Sequence, residues 1–390
     1  MRLSLVATGF RAVLVMTFFF WRASAFAAPL TPTNFSSLGP SPFGETGTYI
    51  IDTSGTPMLS GPGGGAIGFV TADNVAVFTF DSISIGADVT IRATGSRPVA
   101  LLSHSSFELM TGGEIDVSGA YVGGQSVAGA GGGSGGVEIG GGPGGGAGGG
   151  ASGNGSGGGG FGANGGAGGG PSGGAGGISY GNLAGLLQGG SGGAGDAYTV
   201  PAVPGGAGGG GLEIGASGPV TIAGVIKANG YEGADSFGAG GGSGGGILVH
   251  GQTVTLSGVI NAAGGAGGDA SGQGGGGGGG AGGRVHVLTE PGGFVTETGF
   301  IVATGGGNGG APNGYSGGSS TMIVGVLTPP ISGIAGCIEA AGTPLVGVRV
   351  TIKQRNVRER TVTDSDGCYA FSSPVPGLAG TITIDLPPLP

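Results

Sequence analysis

The chain has 390 residues, of which 108 are glycine, and it carries a formal net charge of −9. Glycine lies far above its average share of about 7%, whereas charged residues make up 8% and hydrophobic residues 38%. Nucleic acids and anionic membranes are bound by clustered Lys and Arg, so this composition argues against both as partners. Low charge with ample apolar residues also argues against a wholly disordered chain.

The N-terminus has the three parts of a secretory signal peptide. Arg2 and Arg11 precede an apolar run over residues 12–21. The Ala-Phe-Ala sequence at residues 25–27 predicts cleavage after Ala27. About ten apolar residues make about 15 Å of helix, which is half of a bilayer core of about 30 Å, so a membrane anchor is disfavoured. We therefore expect residues 1–27 to be removed, no integral membrane segment in the mature chain, and a secreted or cell-surface protein.

A seven-residue pattern, Gly-x-Ile-x-(Ala or Val)-x-Gly, recurs in the body of the chain. Its copies are residues 113–119, 224–230, 258–264 and 299–305, and a weaker copy at 89–95 lacks only the first glycine. The Ile and the Ala or Val are two residues apart, so they share one face of a strand. Short strands that cannot bury a face alone are typical of stacked repeats. We predict an all-β fold with a glycine-rich β-solenoid over residues 28–326.

Two further strand patterns accompany these copies. Residues 254–262 predict one strand whose inward side chains include Val254, Leu256, Ile260 and Ala262. A second strand is predicted where glycine tracts end, at residues 137–139, 212–214, 247–249, 284–288 and 322–324. His250 and His286 each follow a valine in such a strand, which predicts one exposed ridge. The outward positions after each repeated Ile predict a column of Arg92, Asp116, Lys227, Asn261 and Val302.

A long glycine-rich excursion, residues 123–210, interrupts the repeats and has two interpretations. Ordering glycine costs more backbone entropy than ordering any other residue, which favours disorder. Alternatively, its Gly-Gly-x runs form packed polyproline II segments, because glycine permits close contact between backbones. Glycine lacks the strict three-residue spacing of collagen and proline is sparse, so a collagen triple helix is not expected.

The C-terminal region has ordinary composition and follows a predicted linker at 327–330. Residues 336–338 (GCI), 342–350 (GTPLVGVRV) and 363–371 (TDSDGCYAF) carry turn chemistry and alternating apolar residues. These motifs resemble the carboxypeptidase regulatory-like domain from residue 331 to about residue 386, within a predicted domain of residues 331–390. The resemblance implies a small transthyretin-like β-sandwich, an accessory module that transfers no catalytic residue.

The body is similar to glycine-rich β-solenoid proteins of bacterial envelopes and secretomes, many of them adhesin-like.

Cys337 and Cys368 are the only cysteines, and both lie in this module. Strand alternation places each on the side opposite the apolar anchors Tyr369 and Phe371. If their strands are neighbours, the two can form a disulfide, which small exported domains often need. Two free thiols are the alternative.

These features predict an exported, non-catalytic structural or adhesive protein of the cell surface or matrix, with no cofactor and no metal. Extracellular polysaccharide and cell-surface components are the expected partners. The alternative is a carbohydrate-binding or degenerate glycan-active β-solenoid, with Tyr121, Tyr231 and Phe300 as the candidate glycan contacts because sugars stack on aromatic rings. Binding of ice or mineral by a regular glycine-rich face is a third possibility.

Overall fold

The computed structural model describes residues 29–309, apart from 151–152, 184–185, 197–201, 236–237, 271–273 and 291, together with short strand segments on either side. The described residues form 31 β-strands, numbered here in chain order, and one 3-10 turn at Pro32–Asn34, with no α-helix. The fold is thus essentially all-β. Within the part of the chain that the structure describes, no helix is long and apolar enough to cross a membrane.

By its internal contacts the chain divides into two compact units. One is Pro29–Leu327, and the other combines Met1–Ala28 with Thr328–Pro390. The larger unit contains three open sheets, which we call sheets I, II and III.

Sheet I has seven strands. In spatial order they are β24 (Met322–Val326), β21 (Arg284–Thr289), β18 (Gly246–Gly251), β15 (Gly211–Ala216), β10 (Val99–Ser103), β7 (Ala76–Phe80) and β6 (Phe69–Val70). All neighbours are parallel except β6, which pairs antiparallel with β7. Sheet II has five parallel strands: β22 (Val295–Glu297), β19 (Val254–Leu256), β16 (Val220–Ile222), β11 (Phe107–Leu109) and β8 (Ile83–Ile85).

Sheet III has eight strands. They are β23 (Phe300–Val302), β20 (Val259–Asn261), β17 (Val225–Lys227), β12 (Glu114–Asp116), β9 (Val89–Thr94), β3 (Gly47–Asp52), β4 (Met58–Gly61) and β5 (Gly64–Ile67). The first six are parallel, and β4 and β5 are antiparallel additions at the edge. A separate hairpin joins β13 (Ala120–Val122) to β14 (Gln125–Val127), and Gly123 and Gly124 supply the positive φ angles of its turn.

The chain visits sheets I, II and III in turn, five times in succession, and we call each visit a repeat. All five copies of the seven-residue pattern contribute one strand each to sheet III, in register, as predicted. Their isoleucines stack inward; Ile91, Ile115, Ile226 and Ile260 are buried and Ile301 is partly buried. On sheet III the core therefore contains a column of isoleucines from successive repeats lying above one another, whereas the inward ladder of sheet I mixes residue types such as Phe78, Leu101 and Val249.

Two predicted strands were wrong. Residues 254–262 form two strands in different sheets, because the chain turns at Ser257 and Gly258. A Cβ at Gly258 would overlap the carbonyl oxygen of Gly224, so this corner of the repeat requires glycine. Residues 137–139 form no strand; Ile139 is 70% exposed and makes only an isolated bridge with Ala147.

The glycine-rich segments pack on one another through main-chain hydrogen bonds, so the packing interpretation describes the residues that the structure covers within 123–210 better than disorder does. Within residues 155–160, successive amides bond three neighbouring segments in rotation. The donors and acceptor carbonyls are Gly155 to Gly169, Ser156 to Gly238, Gly157 to Ala147, Gly158 to Gly166, Gly159 to Gly241 and Gly160 to Gly144. A three-residue period is that of polyproline II. A Cβ at Gly157 or Gly159 would overlap the carbonyl oxygen of Ala175 or Ser191, which explains why so much glycine is needed.

The smaller unit contains only antiparallel pairs among its described strands. These are β1 (Arg2–Val6) with β2 (Val13–Thr17), β25 (Ala335–Cys337) with β30 (Cys368–Ala370), β26 (Glu339–Ala340) with β27 (Thr343–Pro344), and β28 (Arg349–Gln354) between β29 (Val357–Val362) and β31 (Thr381–Asp385). Val348 and Val350, two of the alternating apolar residues of this region, are both buried.

Candidate binding surfaces

Two of the three predicted glycan-contact residues lie together. Tyr121 belongs to β13 and Tyr231 follows β17 by four residues. Their rings stack with centroids 6.2 Å apart and planes inclined by 16°. Tyr121 is 42% exposed and Tyr231 is half-buried. Main-chain bonds hold Tyr231 in place, since its amide donates to Ala207 and its carbonyl accepts from Gly242. The pair is therefore an exposed aromatic surface on a fixed backbone.

Phe300 lies elsewhere. It begins β23, is 72% exposed, and aligns in sheet III with Val259 and, through it, with Val225. Tyr231 comes six residues after Val225 in its own repeat. In the next repeat the position stacked on Tyr231 is Gly265, where an added Cβ would overlap the Tyr231 carbonyl oxygen. The aromatic residues thus form one pair and one separate ring rather than a continuous ridge.

The outward column of sheet III is confirmed. Arg92, Asp116, Lys227, Asn261 and Val302 are consecutive ladder partners. Arg92 Nη1 lies 2.6 Å from Asp116 Oδ2, and Lys227 Nζ lies 2.7 Å from Glu114 Oε2. Exposed pairs of this kind contribute about 0–1 kcal/mol, so they neutralise the face more than they stabilise it.

A polar column on sheet II, four of whose five members carry a hydroxyl, was not predicted. The middle residue of each strand points outward, and the ladder aligns Ser84, Glu108, Thr221, Thr255 and Thr296. The signal was present in the sequence as the repeated Val-Thr-Ile, Val-Thr-Leu and Val-Thr-Glu at residues 220–222, 254–256 and 295–297. Only the register shows that these threonines share one column.

The two cysteines lie on paired strands. In the antiparallel pair of β25 and β30, the Cα of Cys337 is directly opposite the Cα of Cys368. Directly opposed residues of an antiparallel pair have Cα atoms about 4.5–5.5 Å apart, which falls within the range that a disulfide spans.

The prediction that His250 and His286 form an exposed ridge was wrong. Both point outward from sheet I, but they are 4% and 5% exposed, because other parts of the chain cover that face. A second apolar cluster joins sheet I to the covering segments. Its buried members include Leu102 and Leu248 of sheet I and Phe161, Leu183 and Leu187 of the long excursion. Strand alternation gives the face on which a side chain lies, whereas its exposure depends on segments distant in sequence.

Beneath this cover His250 contacts a carboxylate that sequence reasoning missed. His250 Nε2 lies 2.9 Å from Glu213 Oε1, and Glu213 is only 3% exposed. In the sequence Glu213 stands between Leu212 and Ile214, which is the pattern of an exposed residue on an alternating strand. Among the described residues no group of three or more His, Cys, Asp or Glu is arranged to hold a metal ion.

An aromatic and cationic cluster attaches the long excursion to sheet I. The Arg284 guanidinium lies 5.7 Å from the ring centre of Phe161, and its Nη2 is 3.2 Å from the carbonyl oxygen of Tyr180. The Tyr180 hydroxyl donates to the Gly189 carbonyl and accepts from Ser191. Burial raises the pKa of Tyr180 to about 12, against the smaller opposing effects of Ser191 and Arg284.

His286 should make folding stability depend on pH. Burial, and secondly the positive charge of Arg284, lower the pKa of His286 below its usual value. The unfolded chain therefore binds a proton first as the pH falls, and stability declines below about pH 6.5. We expect urea denaturation to show a smaller loss of stability between pH 7.5 and pH 5 for His286→Gln than for the wild type. Equal pH dependence in the two proteins would contradict this assignment.

Comparison with known proteins yields no match: no protein-family model, no curated protein and no solved structure is significantly similar to the chain.

Proposed function

We propose that the chain is an exported, non-catalytic structural or adhesive protein of the cell surface or matrix, whose residues 28–326 form a glycine-rich β-solenoid. The observation that carries the proposal is the register of the five repeats, each adding one strand to each of three open sheets. A buried isoleucine column and packed glycine segments make such a body stiff. Its outward columns carry few charges, and those of sheet III are internally paired.

The proposal includes the C-terminal module. We propose that residues 331–390 form a carboxypeptidase regulatory-like β-sandwich, closed by a Cys337–Cys368 disulfide. The opposed Cα positions of the two cysteines support the disulfide. The central position of β28 between β29 and β31 supports an antiparallel sheet of the kind that a sandwich contains.

Fractionation of the producing cells tests export. The mature chain should occur in the medium or on the cell surface, with Ala28 as its N-terminal residue, and protease treatment of intact cells should remove it. Deleting the gene should reduce attachment of the cells to a surface or to their matrix. Recovery of the chain inside the cytoplasm with residues 1–27 still attached would contradict the proposal.

Carbohydrate binding is the second candidate, and the exposed Tyr121–Tyr231 pair favours it. We expect Tyr121→Ala and Tyr231→Ala each to weaken binding to a responsive polysaccharide about tenfold or more, because each removes half of the aromatic surface. Phe300→Ala is the matched control, since Phe300 is equally aromatic and more exposed but lies apart. Titration calorimetry with polysaccharides found on a glycan array measures the effect. A glycan array without any binding, or equal losses for all three variants, would remove this candidate.

A further inference from the structure

The segment just after the predicted signal cleavage site lies on the outer face of sheet I. Leu30 and Phe35 pack against the second apolar cluster, whose buried members include Val77, Leu102 and Leu248. Pro32 is buried and begins the short 3-10 turn, so the segment follows the face closely. We call residues 30–35 the strap.

Hydrogen bonds fix the strap at two places. The Leu30 amide donates to Glu213 Oε1 over 2.6 Å. His104 Nε2 lies 3.2 Å from the carbonyl oxygen of Pro32 and 2.9 Å from that of Phe35. Two carbonyl acceptors require the hydrogen to be on Nε2 of His104. The strap is thus held at its beginning by a carboxylate and at its turn by an imidazole.

The carboxylate that holds Leu30 is itself placed by the stacking of two repeats. Glu213 lies on β15 of the third repeat and His250 on β18 of the fourth, and His250 donates to the same Oε1 that Leu30 reaches. The His250 ring lies over Gly215, where a Cβ would overlap its Nε2 and Cε1 atoms. Glycine at 215 therefore lets His250 reach Glu213.

A buried carboxylate is costly unless it is hydrogen-bonded. Glu213 gains one partner from the next repeat and one from a segment 183 residues earlier in the chain. Each hydrogen bond holds the Glu213 carboxylate in the position that the other hydrogen bond requires. Forming one of them therefore lowers the free-energy cost of forming the other. Docking of the strap and stacking of the third repeat on the fourth should consequently stabilise each other.

We propose that residues 30–35 are a strap, and that the Glu213–His250 pair is the receptor that fastens it once the third and fourth repeats have stacked. Fastening places Leu30 and Phe35 against the second apolar cluster, which includes Leu102 and Leu248 and is also covered by the long excursion. Stacking of the third and fourth repeats is thus coupled to docking of the strap on the apolar outer face of sheet I.

Hydrogen exchange followed by mass spectrometry on the full chain tests the strap. Leu30→Pro removes the amide donor, and Leu30→Ala, its matched control, keeps the donor while removing the same apolar side chain. We expect exchange of the Phe35 and Leu38 amides to be about tenfold faster in Leu30→Pro than in Leu30→Ala, because a hydrogen bond to a carboxylate is lost. Equal exchange in the two variants would overturn the proposal.

A substitution outside the strap tests the receptor. Gly215→Ala should displace the His250 ring and accelerate exchange of the strap, whereas His286→Gln, on the same face but outside the hydrogen bonds that hold the strap, should leave that exchange unchanged. Peptides from β17 in sheet III report whether the fold is intact. Unaltered strap exchange in a folded Gly215→Ala protein would show that Glu213 is not placed by His250. If Gly215→Ala fails to fold, His250→Ala makes the same test with the glycine retained, because it removes the donor to Glu213.

Discussion

Gly159→Ala should destabilise the larger unit by about 3 kcal/mol, the upper end of the range for overpacking. The added Cβ would overlap the carbonyl oxygen of Ser191 and approach that of Gly192. Both obstructing atoms belong to the backbone of a segment that is hydrogen-bonded on several sides, so no side-chain rotation can relieve the overlap. Urea denaturation of the wild type and the variant measures the change.

Gly307→Ala is the matched control for this prediction. It makes the same chemical change in another glycine segment, but no atom lies within 4 Å of the added Cβ. We expect its stability to remain within about 0.5 kcal/mol of the wild type. Limited proteolysis gives a second readout, in which the wild type resists cleavage within residues 123–210 and Gly159→Ala is cut there. Equal stability of the two variants, or rapid cleavage of the wild type, would contradict the packing of these segments.

Loss of the proposed Cys337–Cys368 disulfide should destabilise the C-terminal module by about 3–4 kcal/mol. In the chain-entropy model, a link that closes a loop of about 30 residues contributes roughly this amount by restricting the unfolded chain. The double variant Cys337→Ser and Cys368→Ser should therefore melt earlier than the oxidised wild type and show no further response to a reductant.

A thiol titration distinguishes the disulfide from two free thiols. The unfolded, unreduced wild type should contain no reactive thiol, and reduction should release two. The control variants are the single substitutions, each of which should leave one reactive thiol. Two reactive thiols in the unreduced chain exported under oxidising conditions would contradict the disulfide.

Much of the larger unit could be predicted from the sequence because its side chains repeat. Ile91, Ile115, Ile226 and Ile260 occupy one position of a seven-residue pattern, and a strand period of two assigns them to one face. The same pattern correctly predicted the outward column from Arg92 to Val302. Such a repeated pattern also specifies how the strands align, because each repeat buries its apolar face only against the same face of the next repeat.

The turns between strands and the contacts between distant segments were not predictable in this way. Ser257 and Gly258 interrupt an alternation that reads as one strand, and only the stacked Gly224 carbonyl shows why a corner lies there. Of the candidate glycan contacts, Tyr121 and Tyr231 come together although 110 positions separate them in sequence, whereas Phe300 remains apart. Their proximity depends on where a glycine-rich excursion leaves and rejoins the repeats.

By itself, the sequence determined the all-β class, the repeat and the direction of most strand side chains, because these follow from spacing along a few residues. The tertiary structure decided which outward residues are exposed. Glu213, His250 and His286 have the alternation of surface residues, yet the strap and the long excursion bury them. The physical reason is that burial of an outward face depends on segments far away in the chain, whose positions local periodicity does not specify.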